Sequence, residues 1–572
     1  MSPIERSIPM SVKTIHVFTL ISVLILLNLL GLKQVKAEPM ALDKALYINQ
    51  LSHPTPYIPA QCYTNPVASN GDIANPCYAC HTASMRPNVL NDFDVQLEYA
   101  FPDTALHNPW ANLFKDNSQQ TAKISDQTIA AYVRQDNYLD ADGNIRLNQR
   151  LKTQAATFDA NDNGQWDGYQ PDIYFNFDQQ GYDRDPKGNF TGWRSYAYYP
   201  MPGSFMPTNG ATDDVSIRLA EAFRQDSQGR FNQQIYTINL AIVEALIREQ
   251  NVAIDPVDEH SLGIDLDKDG QLGVASQVTY DWAPLKQRNM SYVGQAAIEQ
   301  KQGKLHLAAK LFPEGTEFVH SVRYLDIDNN KQVTMAARMK ELRYAIKRHW
   351  VNYYGLEVIV ADEIKERHDF PSRTKNLRGS AEEGMQLAQG WIYQGFIEDQ
   401  QGELRPQTYQ EHASCTGCHS GSGVLMDTNI SFYRKLPTSS FQQGWYHWQQ
   451  KSMQGIPEPK RASDGEYEYS YYLKNNPTGD EFRANQEVKQ RFFDEQGQPK
   501  AEMFERLHQD ISVLMLPSVE RAIALNKAYK VLVDEQSFIH GKAPLLAPLD
   551  AVVFKDILVG QETGIEELLS AF

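Results

Sequence analysis

Basic residues are in short supply. Lys and Arg number 54 against 71 Asp and Glu, a formal net charge of −17, which argues against nucleic acid or anionic lipid as a partner. There is no internal repeat beyond two short motifs and no low-complexity tract. Only one long apolar run exists, Val17 to Leu32, and at about 16 residues it is short for a membrane span. Cysteines number five, and none follows a plausible cleavage site near the start of the chain, so no lipid anchor is expected.

Arg6 and Lys13 precede the apolar run and Val35-Lys36-Ala37 follows it, the layout of a secretory signal peptide. Residues 1–37 are therefore expected to be removed, with Glu38 first in the mature chain. The mature protein is expected in the periplasm or at the cell surface, with no stable membrane span. Removing this basic leader takes the net charge to −20, which suits docking of a basic partner. With 42% hydrophobic and 22% charged residues the rest is globular, and 572 residues amount to roughly three domains.

Exported cysteines normally pair as disulfides. Four of the five here form two Cys-x-x-Cys pairs, each followed by His: Cys77-Tyr-Ala-Cys80-His81 and Cys415-Thr-Gly-Cys418-His419. Two thiols three positions apart can add across a haem edge, and the next imidazole then reaches the iron. A thioredoxin-like pair would sit in a βαβ unit, and neither segment reads that way. A Cys₄ zinc site is disfavoured by the 338 residues from Cys77 to Cys415. Two covalent haem c groups are expected, with His81 and His419 as proximal ligands. His53 and His447 are the distal candidates, and His412 lies three residues before Cys415. Cys62 is left over.

Two acidic loops resemble the first half of an EF-hand calcium loop: Asp159-Ala-Asn161-Asp-Asn163-Gly164-Gln-Trp-Asp167 and Asp265-Leu-Asp267-Lys-Asp269-Gly270. Oxygen ligands at positions 1, 3 and 5 converge on one ion in such loops. Position 12, which should be a bidentate acid, is Gln170 in the first and Ser276 in the second. Calcium is a further expected cofactor, and Asx-turns without metal are the alternative. Asp326-Ile-Asp328-Asn-Asn330 is a weaker version with Lys331 at the Gly position, and Asp140-Ala-Asp142-Gly143 reads as a hairpin turn.

The organisation expected is a haem-bearing segment at 38–125, a middle domain with the acidic loops at 126–340, and a second haem domain at 341–572. Helices are expected from Ser125, over Ile235–Arg248, over Glu341–Tyr353 and after Ser518. A hairpin is expected over Gly390–Arg405. The fold class is α+β and multidomain, mainly helical with short hairpins and long irregular haem-wrapping loops.

The paired motifs on an exported chain, with calcium nearby, resemble the diheme cytochrome c peroxidase superfamily, in which one haem stores an electron and the other reacts. The wide motif spacing departs from that family, as does the lack of its ligand segment after His419. The whole chain, with Pro59-Ala-Gln-Cys62-Tyr before the first motif, more closely resembles large exported diheme c-type cytochromes. The resemblance implies single-electron transfer between redox partners. A peroxidase- or oxygenase-like enzyme with one open haem is the alternative, and whether the chain is an enzyme stays open.

Overall fold

The long hairpin Glu317–Lys347 is the backbone of the architecture. Its residues alternate between two apolar faces, and both faces are covered. The computed structural model describes residues 43–67, 71–88, 90–421, 427–476 and 484–571, so the expected signal peptide lies outside the described residues. Residues 44–572 form one compact unit.

The strands in chain order are β1 (Tyr182–Arg184), β2 (Phe190–Ser195), β3 (Thr212–Asp213), β4 (Ser216–Arg218), β5 (Val252–Asp258) and β6 (Val274–Val278). They continue with β7 (Glu317–Ile327), β8 (Val333–Lys347), β9 (Arg378–Ser380), β10 (Gly384–Gln386), β11 (Trp391–Glu398) and β12 (Leu404–Pro406). Ten of them form one sheet in the order β1-β2-β4-β7-β8-β11-β10-β9, with β3 on β7 and β12 on β11; β5 and β6 form a separate ribbon. The pairings in the large sheet are antiparallel, from Glu317↔Ile346 to Ile327↔Val333 along the central hairpin.

One face of the sheet packs on the helix Gln233–Arg248, through Ile217, Phe318, Ala345 and Trp391 against Leu240, Val243 and Leu246. Asn232 caps that helix by accepting from the Ile235 amide. The other face presents Tyr324, Ala336 and Ile397 to Tyr529, Leu532 and Val533 of the helix Val519–Glu535. Ser518 caps that helix through the Arg521 amide, and Ser125 caps Asp126–Val133 through Thr128.

The expectation of a mainly helical chain is corrected here. Described residues are 32% helical and 18% strand, arranged around the large antiparallel sheet. The largest single revision is Glu341–Tyr353, expected as a helix. Glu341–Lys347 is the end of β8, buried on both faces between β7 and β11, and the next helix starts only at Tyr353. A strand covered on both faces loses the polar–apolar alternation that would mark it. The hairpin expected over Gly390–Arg405 is β11 and β12. Asp328 forms the turn of the β7–β8 hairpin, accepting from the Asn330 and Gln332 amides, while Asp326 lies in β7 opposite Thr334.

Candidate metal and thiol sites

The first acidic loop is organised by its own side chains. Asp159 is 2% exposed; its Oδ1 accepts from the Asn161 amide at 3.0 Å and its Oδ2 from Gly164 at 2.7 Å. Asn161 Oδ1 accepts from Asn163 and Asn163 Oδ1 from Gln165, at 3.1 and 2.8 Å. Asp167 Oδ2 accepts from both asparagine amides. In the second loop Asp265 Oδ2 accepts from Gly270 at 3.1 Å, Asp267 from the Asp269 amide, and Asp269 from Gln271. The backbones match as well: position 4 is left-handed in both (Asp162 and Lys268, φ 61°), as is the position-6 glycine (Gly164 φ 81°, Gly270 φ 90°).

Each loop is also clasped by a buried glutamate from elsewhere. Glu382, in the turn between β9 and β10, accepts from Ala160 at 2.6 Å and Asp167 at 2.7 Å, one amide on each carboxylate oxygen. Glu259, just after β5, does the same with Leu266 at 2.5 Å and Gly273 at 2.8 Å. Those are positions 2 and 9 of both loops. Both glutamates are 1% exposed. Glu382 lies more than 200 residues after its loop, out of reach of any spacing rule, whereas Glu259 lies six residues before Asp265.

Charge accumulates at these places. Glu259, Asp265 and Asp267 each bring a carboxylate oxygen to within 4.8 Å of the others. Asp265 Oδ1 is buried with no hydrogen-bond partner. Burial, then Glu259, Asp269 and Asp265, push the Asp267 carboxyl up. Burial, with the charges of Asp159 and Asp167, does the same to Glu382. Burial also opposes the charge on Asp159, but the backbone amides of Gly164 and Asn161 prevail and hold it below its ordinary value. Carboxylates gathered in this way repel one another unless a cation joins them.

The two Cys-x-x-Cys-His segments, 338 residues apart, meet in space. Gly417 lies so close to Tyr57 that a Cβ there would stand 2.1 Å from the Tyr57 carbonyl oxygen. The segment from Tyr57 runs on into Cys62. Burial pushes that thiol up, and the nearby Cys418 and Cys77 add to the shift. None of the five cysteines is in a disulfide. A small open cleft lies beyond both segments, lined by Pro87 and Asn88, by Leu356, Ile359 and Val360 of the helix Tyr353–Asp369, and by Gly421, Asp427 and Thr428; none of the motif cysteines or histidines lines it.

The motif histidines are held alike. His81 Nδ1 lies 3.0 Å from Asp92 Oδ2, and His419 Nδ1 donates to the Thr428 carbonyl at 2.8 Å. Burial brings His419 down to about 4. His412 is wholly buried and neither ring nitrogen has a hydrogen-bond partner; burial, helped by Lys542, takes it to about 3.

The distal candidates are corrected by their bonding. His447 Nε2 donates to the buried Asp214 carboxylate at 2.9 Å, and its Nδ1 accepts from the Gln449 amide. His53 Nδ1 accepts from the Thr55 amide at 3.0 Å, which places the proton of the neutral ring on Nε2. Neither ring offers a lone pair without losing a bond it already makes.

A family model described as "-like lipoprotein" matches residues 46–508. The chain belongs to that lipoprotein family. An uncharacterized lipoprotein of Aquifex aeolicus (strain VF5) is 29% identical over 551 residues, covering 86% of each chain. No solved structure matches.

Membership in this family overturns the diheme cytochrome expectation. Two covalent haem c groups, single-electron transfer between redox partners and the peroxidase- or oxygenase-like alternative all lack support in a family described by lipoproteins alone. Cys-x-x-Cys-His spacing fixes how two thiols and an imidazole sit together, and it does not by itself fix what they hold. Cys77, Cys80, His81, Cys415, Cys418 and His419 stand as two thiol–imidazole segments. Lipoprotein relatives support an exported chain, while the first cysteine of this one is Cys62. Among the described residues no helix is long and apolar enough to cross a membrane.

Proposed function

We propose that this lipoprotein-family protein works outside the cytoplasm, in the periplasm or at the cell surface, as a calcium-stiffened binding scaffold. The observation that supports the reading is the matched clasp: Glu382 and Glu259 bond positions 2 and 9 of their loops with the same register. Each supplies, from outside the loop, the acid that the loop's own position 12 lacks.

The ligand sets follow from this. Asp159, Asn161, Asn163 and Asp167 with Glu382 form one site, and Asp265, Asp267 and Asp269 with Glu259 form the other. Oxygen donors of this kind suit calcium, which accepts six to eight of them in flexible geometry. Extracellular calcium loops bind at about 10⁻⁴–10⁻³ M. At free calcium tenfold above Kd each site then adds about 1.4 kcal/mol to stability. A site of that strength is structural, holding the two loops against the sheet and the β5–β6 ribbon.

Calorimetric titration of the purified chain with calcium should count two ions. Glu382→Gln and Glu259→Gln should each remove one, and chelation should lower the melting temperature by several degrees. A thermogram with no heat of binding at millimolar calcium, with melting unchanged by chelator, would discard the reading in favour of glutamate-clasped Asx-turns.

A further inference from the structure

The first acidic loop is gripped from one more direction, by the beginning of the described chain. The helix Lys44–Ile48 has only five residues, too few to stand alone in water. Its contacts hold it instead. Tyr47 is fully buried, its ring edge-on to Phe158 with centroids 5.1 Å apart, and Phe158 directly precedes Asp159. The Tyr47 carbonyl accepts from the Ala381 amide at 2.8 Å, and Ala381 directly precedes Glu382. Lys44 pairs with Asp162, position 4 of the loop.

From there the chain passes over the helix Tyr409–Ala413. Ser52 donates its amide and its hydroxyl to Gln410 Oε1, at 2.5 and 2.9 Å. Leu51 packs with Met385, Tyr409 and Ala413. A few residues on, the Tyr57 carbonyl oxygen is the atom against which Gly417 is pressed. Residues 44–57 thus run as one strap from the first loop to the second Cys-x-x-Cys-His segment.

The ties of this strap do not respond alike to a cation. The Lys44–Asp162 pair is exposed, so water and salt screen it. Lys44 is also drawn by the charges of Asp159 and Glu382, which a bound ion would neutralise. That tie is weak and opposes any coupling. The bond from Ala381 to Tyr47 is buried at both ends and adjoins the clasp itself. Burial and the charges of Asp159 and Asp167 all disfavour the Glu382 carboxylate. Without a cation Glu382 relieves that repulsion by leaving the loop, and the residue it draws with it is Ala381.

We propose, resting on the calcium reading of the first loop, that its ion fastens this strap. With calcium bound, residues 44–57 lie closed on the helices Tyr409–Ala413 and Cys415–His419; without it they lift away. The second loop, clasped by Glu259 from six residues ahead of Asp265, is the internal control. By linkage the coupling runs both ways, so loosening the strap weakens the first ion.

Hydrogen exchange of the full chain, read by mass spectrometry, tests this in calcium at about tenfold above Kd and again in chelator. Residues 44–57 should exchange about tenfold faster without calcium, the factor that such a concentration confers on what the ion stabilises. Glu382→Gln should show the fast exchange even in calcium, with the central hairpin Glu317–Lys347 still protected as proof of folding. Glu259→Gln should leave 44–57 as slow as in the parent protein. Tyr47→Ala approaches the strap from the other side, and should weaken the first ion roughly fivefold or more while the second binds as before. Two ions bound, with 44–57 exchanging equally in calcium and in chelator, would overturn the strap and leave the calcium reading standing. So would a Tyr47→Ala protein that holds both ions as tightly as the parent. A titration with no heat of binding would remove the calcium reading and this coupling with it.

Discussion

Glu458 is a carboxylate held where charge is costly. It is 5% exposed, and its oxygens accept from the Ser470 amide at 2.5 Å and the Ser470 hydroxyl at 2.9 Å. Burial outweighs those bonds, and with Glu468 nearby the carboxyl is pushed up to about 7. A folded value above the ordinary one means that the protonated form favours the fold. Its contribution is complete below about pH 4.5 and is lost as pH rises through 7. Melting temperature should therefore decline across that window, and Glu458→Gln should flatten the decline; an unchanged slope would assign it to other groups. Nothing in the local sequence marks Glu458, because its surroundings are set by packing. The same holds for His447, expected as a distal ligand. Its actual partner is Asp214, 233 residues away.

At the scale of elements, caps and turns were the readable signals. Ser125 and Ser518 start helices where a hydroxyl precedes an apolar stripe, and the β11–β12 hairpin turns where Asp399 and Gly402 stand. Position-by-position oxygen spacing also identified the two acidic loops. Glu382 was illegible, since it comes from a separate element brought in by the fold, while Glu259, six residues ahead of Asp265, stands where the calcium-loop pattern has no ligand. Glu382 depends on the short β9–β10 turn, where Gly379 (φ 119°) approaches Gly384 so closely that a Cβ would stand 1.9 Å from its carbonyl oxygen. Gly379→Ala should open that turn and displace Glu382. The first calcium ion should be lost and the second kept, as a titration would count directly. Loss of both would show instead that the substitution unfolds the chain.

Over the whole molecule, the spacing of the cysteine motifs suggested distant haem domains, whereas the fold brings Cys77 and Cys418 both near Cys62. The first motif's segment is held in place from outside the motif. Residues 549–569 run back along the first segment: Asn65 donates to Val552 and Phe554 to Tyr63. Gln96 also bonds the Leu569 backbone at its carbonyl and amide. Val553 and Ile557 complete the small core of Tyr63, Tyr99 and Trp110. Ending the chain after Leu546 should therefore loosen residues 57–107 while leaving the central hairpin protected. Hydrogen exchange would show this as faster exchange in the first region alone, and uniform exchange throughout would contradict it. There is also a kinetic consequence for a secreted chain. The stretch around Tyr63 and Tyr99 meets its partners at residues 549–569 only after about 450 further residues have followed it through the translocation channel. Thiols kept waiting in an oxidising space are open to wrong pairing. The hazard of making this protein is thus concentrated in the interval between the appearance of its first cysteines and the arrival of its last strand of backbone.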